Sequence, residues 1–238
     1  RLARIWVFMG RFSPAAVAFA EALALLERAA SPKPLANCIE GCGFRQMLSG
    51  DLAGARPAFE RALSLYRAAG ADSAALGVLV NLGDLTWALG DLDAALKQCR
   101  EAVRLMRGAP LFAKEMLGTC LTNLAGVLIE RGELDEALQV AREGLPLRQD
   151  SGHAWVAMDH FALRAALVGR LENAARIAGH VDATHCSKPS LRQPNEARAH
   201  ARLMDLLRAR LDERQIVRLL AEGAEMGEDE ACRLALED

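Results

Sequence analysis

The sequence predicts an all-α chain: an α-solenoid of about five helical hairpins, closed by a C-terminal helical cap. Three observations carry that reading. A short motif, Gly90-Asp91-Leu92-Asp93-Ala94-Ala95-Leu96, returns in near-copies led by Gly10, Gly50, Gly132 and Gly169, at intervals of 40, 40, 42 and 37 residues. Such a period belongs to stacked helical repeats. Fixed slots accompany each glycine: alanine stands five residues on (Ala15, Ala55, Ala95, Ala137, Ala174), and Phe19, Phe59, Cys99, Ala141 and Ala178 stand nine on. The composition is rich in alanine, leucine and arginine, with eight prolines in 238 residues, which favours helix and leaves no segment that reads as a strand.

Each copy reads as helix, tight turn, helix. Glycine suits the left-handed position that ends a helix, and the acidic residue that often follows suits the positive start of the next. Residues 1–9 take the place of a first helix turning at Gly10, but are about half the length of the later first helices. Register therefore places the first residue inside a repeat, and the lack of an initiator Met reads as a piece of a longer protein. Helices are expected at about 13–30, 34–49 and 51–69, with Ser31-Pro32-Lys33-Pro34 as a break. The third repeat takes 72–89 and 91–107; after a break at Gly108-Ala109-Pro110 come 111–131 and 133–148, then 152–168 and 170–185. Periodicity ends there. Ser187 to Pro194 reads as a loop, followed by helices near 195–210, 212–222 and 228–236. The chain thus divides into repeats over 1–186 and a charged cap over 187–238, since a terminal hairpin needs one face covered and a wettable surface beyond it.

The formal net charge of -2 and pI near 6.3 provide no basic field for nucleic acid or an anionic membrane. No apolar run is long enough for a membrane span, and the start lacks the layout of a signal peptide, so the expected location is cytoplasmic. Lysine is scarce, four residues against 25 arginines, as in proteins of GC-rich bacterial genomes. The six cysteines are spread through expected helices and read as small buried hydrophobes. Cys38 and Cys42, one turn apart, have no second pair at zinc-site spacing.

Reading backward from each turn sharpens the pattern. Nine residues before Gly90 and Gly132 stand Asn81-Leu82-Gly83 and Asn123-Leu124-Ala125. With the turn glycine, the alanine five later, and Ala62 and Ala102 twelve later, the pattern resembles the tetratricopeptide repeat (TPR), in a variant with longer helices. The resemblance implies a right-handed superhelix whose first helices line a concave groove. Residues 162–179 and 221–236 are also similar to the C-terminal TPR regions of large bacterial ATPase regulators, which carry a nucleotide-binding domain and often a winged-helix DNA-binding domain. That likeness implies the sensory tail of a signal-responsive transcriptional regulator. The alternative is a free-standing scaffold or adaptor joining two proteins.

Motifs for chemistry are absent. None of Lys33, Lys97, Lys114 and Lys188 follows a glycine, so no phosphate-binding loop is present. The five histidines lack metal-site spacing and nothing resembles a nucleophile elbow, so neither enzyme, metal nor cofactor is expected. Residues 211–223 look superficially like the opening of a helix-turn-helix. Residues 221–238, however, hold seven acidic side chains against Arg233, a charge that DNA would repel. What remains is the groove. Slots six, nine and ten residues before the turn glycines, with their flanks, give Glu40, Arg45, Asn81, Asp84, Thr122, Asn123, His160 and Arg164 as candidate binding residues. Asparagine amides both donate and accept, so Asn81, Asn123 and His160 could hold an extended peptide; alternatively, they satisfy neighbouring helices. Arg45 and Arg164 could take an anionic group. The expected partner is a protein or peptide in the groove, or a small-molecule inducer.

Overall fold

The computed structural model describes residues 2–29, 31–108, 114–188 and 190–237, and among these all regular structure is helical. The hairpins follow the expected order: α1 (Leu2–Phe8) with α2 (Phe12–Arg28), α3 (Pro32–Leu48) with α4 (Leu52–Ala68), and α5 (Asp72–Ala88) with α6 (Leu92–Arg107). Next come α7 (Lys114–Arg131) with α8 (Leu134–Asp150), and α9 (Met158–Leu167) with α10 (Leu171–Ser187). The remaining helices are α11 (Pro194–Arg210), α12 (Glu213–Ala224) and α13 (Glu228–Ala235).

The turns form for the reason the motif suggests. All five motif glycines have positive φ, from 71° at Gly10 to 89° at Gly90 and Gly169. At Gly50, the Gly50 N–H donates to Met47 O at 3.1 Å and the Asp51 N–H to Gln46 O at 2.9 Å. This double bond to the last carbonyls is a Schellman ending, and it recurs at the other four turns. Asp51 and Asp91 then cap the following helices, accepting from Gly54 N at 2.9 Å and Ala94 N at 3.0 Å. The alanine slot is fully buried in every copy, Ala15, Ala55, Ala95, Ala137 and Ala174 all at 0%. Only a methyl fits there, so helix meets helix closely.

Two expected boundaries move. The break at residues 31–34 is shorter than expected, because Pro32 and Pro34 lie in the first turn of α3, where a missing N–H costs nothing. The helix expected from residue 152 instead starts with Gly152 at φ 72° and a 3₁₀ turn over Ala154–Ala157, leaving α9 short. The break at Ala109-Pro110 and the expected start at 111 lie outside the described residues.

The chain forms two compact units, Arg1–Gln98 with Pro189–Pro194, and Cys99–Lys188 with Asn195–Asp238. In the first, α1 to α5 pack in succession and α1 also meets α3, first helix on first helix. Its core joins Ile39, Met47, Phe59, Tyr66, Val78 and Leu85, and Phe44 meets Phe59 edge-on at 5.8 Å. Fully burying each such side chain is worth about 1.5–3 kcal/mol. The Leu191 N–H donates to Phe8 O at 3.0 Å, pinning the 190–194 segment to the end of α1.

In the second unit α7 packs on α8 and α9 on α10, while α12 crosses α10. At that crossing Gly179 faces the main chain of Leu220, and Gly223 faces that of Arg176, so closely that a Cβ on either would strike backbone. Contact of this kind is open only to glycine. α13 lies against α9 and α10, burying Ala231, Cys232, Leu234 and Ala235.

Candidate functional site

Among the groove candidates of the first unit, Glu40 is a meeting point. Its carboxylate accepts from Asn81 Nδ2 at 3.2 Å and from the Tyr66 hydroxyl at 3.1 Å, and pairs with Arg4 Nη2 at 3.0 Å. Arg4, Glu40 and Asn81 stand on α1, α3 and α5, so a polar ladder does run along successive first helices. Its rungs bond to one another, and the Asn81 amide serves a neighbouring helix, the second of the two readings open at the sequence level. The burial of Tyr66 and the negative charge of Glu40 together raise the phenol above its usual range. Arg45 and Asp84 are half-buried on α3 and α5. The positive charge of Arg45 opposes the burial that pushes the Cys42 thiol up to about 11.

In the second unit Thr122 is buried and its hydroxyl donates back to Gly118 O at 3.0 Å, while Asn123 is half-buried on α7. Arg164 is only 3% exposed; its Nε donates to Leu134 O at 3.0 Å and its Nη1 to Glu237 O at 3.1 Å. A side chain expected to flank the groove is thus engaged with main-chain carbonyls.

His160 belongs to a larger polar cluster built between α9 and α11. Asp159 is 0%, His160 2%, Asn195 1% and Glu196 7% exposed. His160 Nε2 lies 3.8 Å from Glu196 Oε1, and His200 Nδ1 lies 3.1 Å from Asp159 Oδ1 and its Nε2 3.9 Å from Asp182 Oδ1. Arg198 fixes α11 to α7 by a bidentate pair with Glu130, at 2.9 and 3.1 Å, and also donates to Asn195 Oδ1 at 3.0 Å. Buried charges are expensive unless paired and hydrogen-bonded. Here one acceptor, Glu196 Oε2, is buried with no hydrogen-bond partner among the described residues.

The sequence pointed to His160 but not to Asn195, Glu196, Arg198 or His200. These lie on α11, whose charge-rich sequence reads as cap surface. The available signal was the stripe Asn195, Glu196, Ala199, Leu203 and Leu207, buried at helical spacing. Among the described residues no group of three or more His, Cys, Asp or Glu side chains is placed to hold a metal ion, and no helix is long and apolar enough to cross a membrane.

No curated protein matches the chain. The family model described as the MalT-like TPR region matches residues 2–233, nearly the full length. Together with the recurring Schellman turns, the buried alanine slot and the stacked hairpins, that match assigns the chain to the MalT-like TPR family.

Proposed function

We propose that the chain is the non-enzymatic, ligand-sensing part of a bacterial, cytoplasmic, signal-responsive transcriptional regulator, with its ligand seated at the α9–α11 cluster. The observation that carries the seat is Glu196 Oε2, a buried acceptor without a partner among the described residues, on the side chain that faces His160. An unsatisfied buried polar group costs about 1–3 kcal/mol, more if charged. A ligand bringing an N–H or O–H donor removes that cost. Arg198 balances Glu130, and the further carboxylates Asp159 and Asp182 leave the cluster acidic, which favours an amine, a hydroxyl or the amides of a peptide over an anion.

Because α11 contributes Glu196 and α9 contributes His160, a ligand between them biases how α11 rests on α9. The bias equals the difference in its affinity for the two arrangements. Through it, occupancy would reach attached domains.

The test is a thermal-shift screen of the whole chain against peptides, amines and hydroxylated small molecules. A ligand at about 100 times its Kd adds about 2.7 kcal/mol of stability. Glu196→Ala should abolish that shift while leaving the unliganded Tm equal or higher, since it removes an unsatisfied acceptor. A variant that unfolds, or responds to the ligand as the wild type does, would refute the seat. A silent screen with a co-purifying protein partner would favour the adaptor.

A further inference from the structure

A second polar site stands apart from the α9–α11 cluster, at the start of α10. In the second and third repeats the residue after the turn glycine is acidic and caps its own helix: Asp51 for α4 and Asp91 for α6. In the fifth repeat that slot holds Arg170, which makes no side-chain cap, and the first turn of α10 adds Asn173. Arg11 holds the same slot in the first repeat, also without a side-chain cap, and the one acid in the first turn of α10, Glu172, pairs with Arg176. The carboxylate that meets Arg170 and Asn173 comes from far along the chain: Glu237 Oε2 accepts from Arg170 Nη1 at 3.0 Å and from Asn173 Nδ2 at 2.9 Å. Arg233 Nη1 donates to the other oxygen at 2.6 Å. The main chain is read as well, since Arg164 Nη1 donates to Glu237 O at 3.1 Å and Arg142 Nη2 to Leu236 O at 3.4 Å.

We propose that the first turn of α10 is a carboxylate-recognition site that the chain fills with its own Glu237, and that an acidic residue on a peptide leaving a helix competes for it. Its ligand class follows from the donors. Arg170 and Asn173 take one carboxylate oxygen, and the buried Arg164 takes the carbonyl of the same residue, so the site selects an acidic side chain together with its backbone. Charge-assisted bonds of this kind are about twice as strong as neutral ones. The side chains of Arg170 and Glu237 remain 39% and 30% exposed, which leaves the contact open to exchange, while Arg164 beneath is 3% exposed and keeps its position. α13, eight residues long, presents the acid.

The full chain carrying Glu237→Ala provides the test. Emptying the carboxylate position should lower Tm by about 2–4 °C, the shift of a ~1 kcal/mol loss in a chain of this size. Sodium propionate should restore most of that loss, whereas propionamide, the neutral analogue, should not, and the wild type should respond to neither. Adding Arg170→Ala should remove the propionate effect. A blocked peptide copying residues 233–237 should bind the Glu237→Ala chain about tenfold more tightly than the same peptide ending in glutamine, a difference of about 1.4 kcal/mol. Equal action of propionate and propionamide, or equal binding of the two peptides, would overturn the proposal.

Discussion

At the scale of single residues, burial controls the cysteines. It pushes the thiol of Cys42 up to about 11 and those of Cys120 and Cys232 to about 12, the nearby Glu228 and Asp229 adding to the effect at Cys232. A raised thiol pKa means that the fold prefers the neutral form. The stability this contributes is complete below the unfolded value of about 8.5 and is lost as pH climbs toward the folded values. Melting temperature should therefore fall above about pH 9, and Cys120→Ala should flatten that alkaline limb, as a series of melts from pH 7 to 10 would record. Cys186 is exposed, Cys42 half-buried and the other four cysteines buried, so a disulfide reagent at pH 8 should modify Cys186 first and reach the buried four only on unfolding. Glu40 is the counterpart among polar residues. Its lone pairs are used by Arg4, Tyr66 and Asn81, so this part of the inner ladder is self-satisfied, unlike Glu196.

At the scale of elements, each hairpin is a locally encoded unit. The turn glycine and the alanine five residues beyond specify where one helix stops and how closely the next approaches, and in the second and third repeats Asp51 and Asp91 also cap the next helix. Asp51→Ala and Asp91→Ala should each cost about 1 kcal/mol, and about 2 together, because they cap different helices without shared partners. Urea melts of the singles and the double would check this, and strong non-additivity would argue against independent caps. Helix order, turns and most boundaries were legible in the sequence for this reason. Where the reading slipped, a residue had two permitted places. Pro32 and Pro34 can break a chain or open a helix, and α3 uses them to open one. The stretch after Gly152 carries helix-forming residues, yet begins as a 3₁₀ turn with Trp155 packed edge-on against His185 at 5.0 Å.

At the scale of the whole molecule, a solenoid passes strain only between neighbours. In Gly223→Ala the new methyl would meet the main chain of Arg176, which cannot move aside as a side chain could. Overpacking of this kind costs about 1–3 kcal/mol and sometimes more. Hydrogen exchange should show lost protection in α9, α10, α12 and α13, with the α3–α4 hairpin unchanged. Uniform loss would instead mean that the chain opens as one cooperative body.

What the sequence by itself determined is the repeat: its period, its turns and its buried alanines, all consequences of contacts within about 40 residues. What only the tertiary structure decided is which polar side chains meet across larger separations. Asn81 lies 41 residues from Glu40, Asp159 lies 41 from His200 and Arg170 lies 67 from Glu237. Helical periodicity shows which face a side chain takes, but its partner depends on where α11 and α13 come to rest. That is decided by burial of their apolar stripes, just as the α10–α12 crossing is decided by Gly179 against the main chain of Leu220 and Gly223 against that of Arg176, which no local pattern announces.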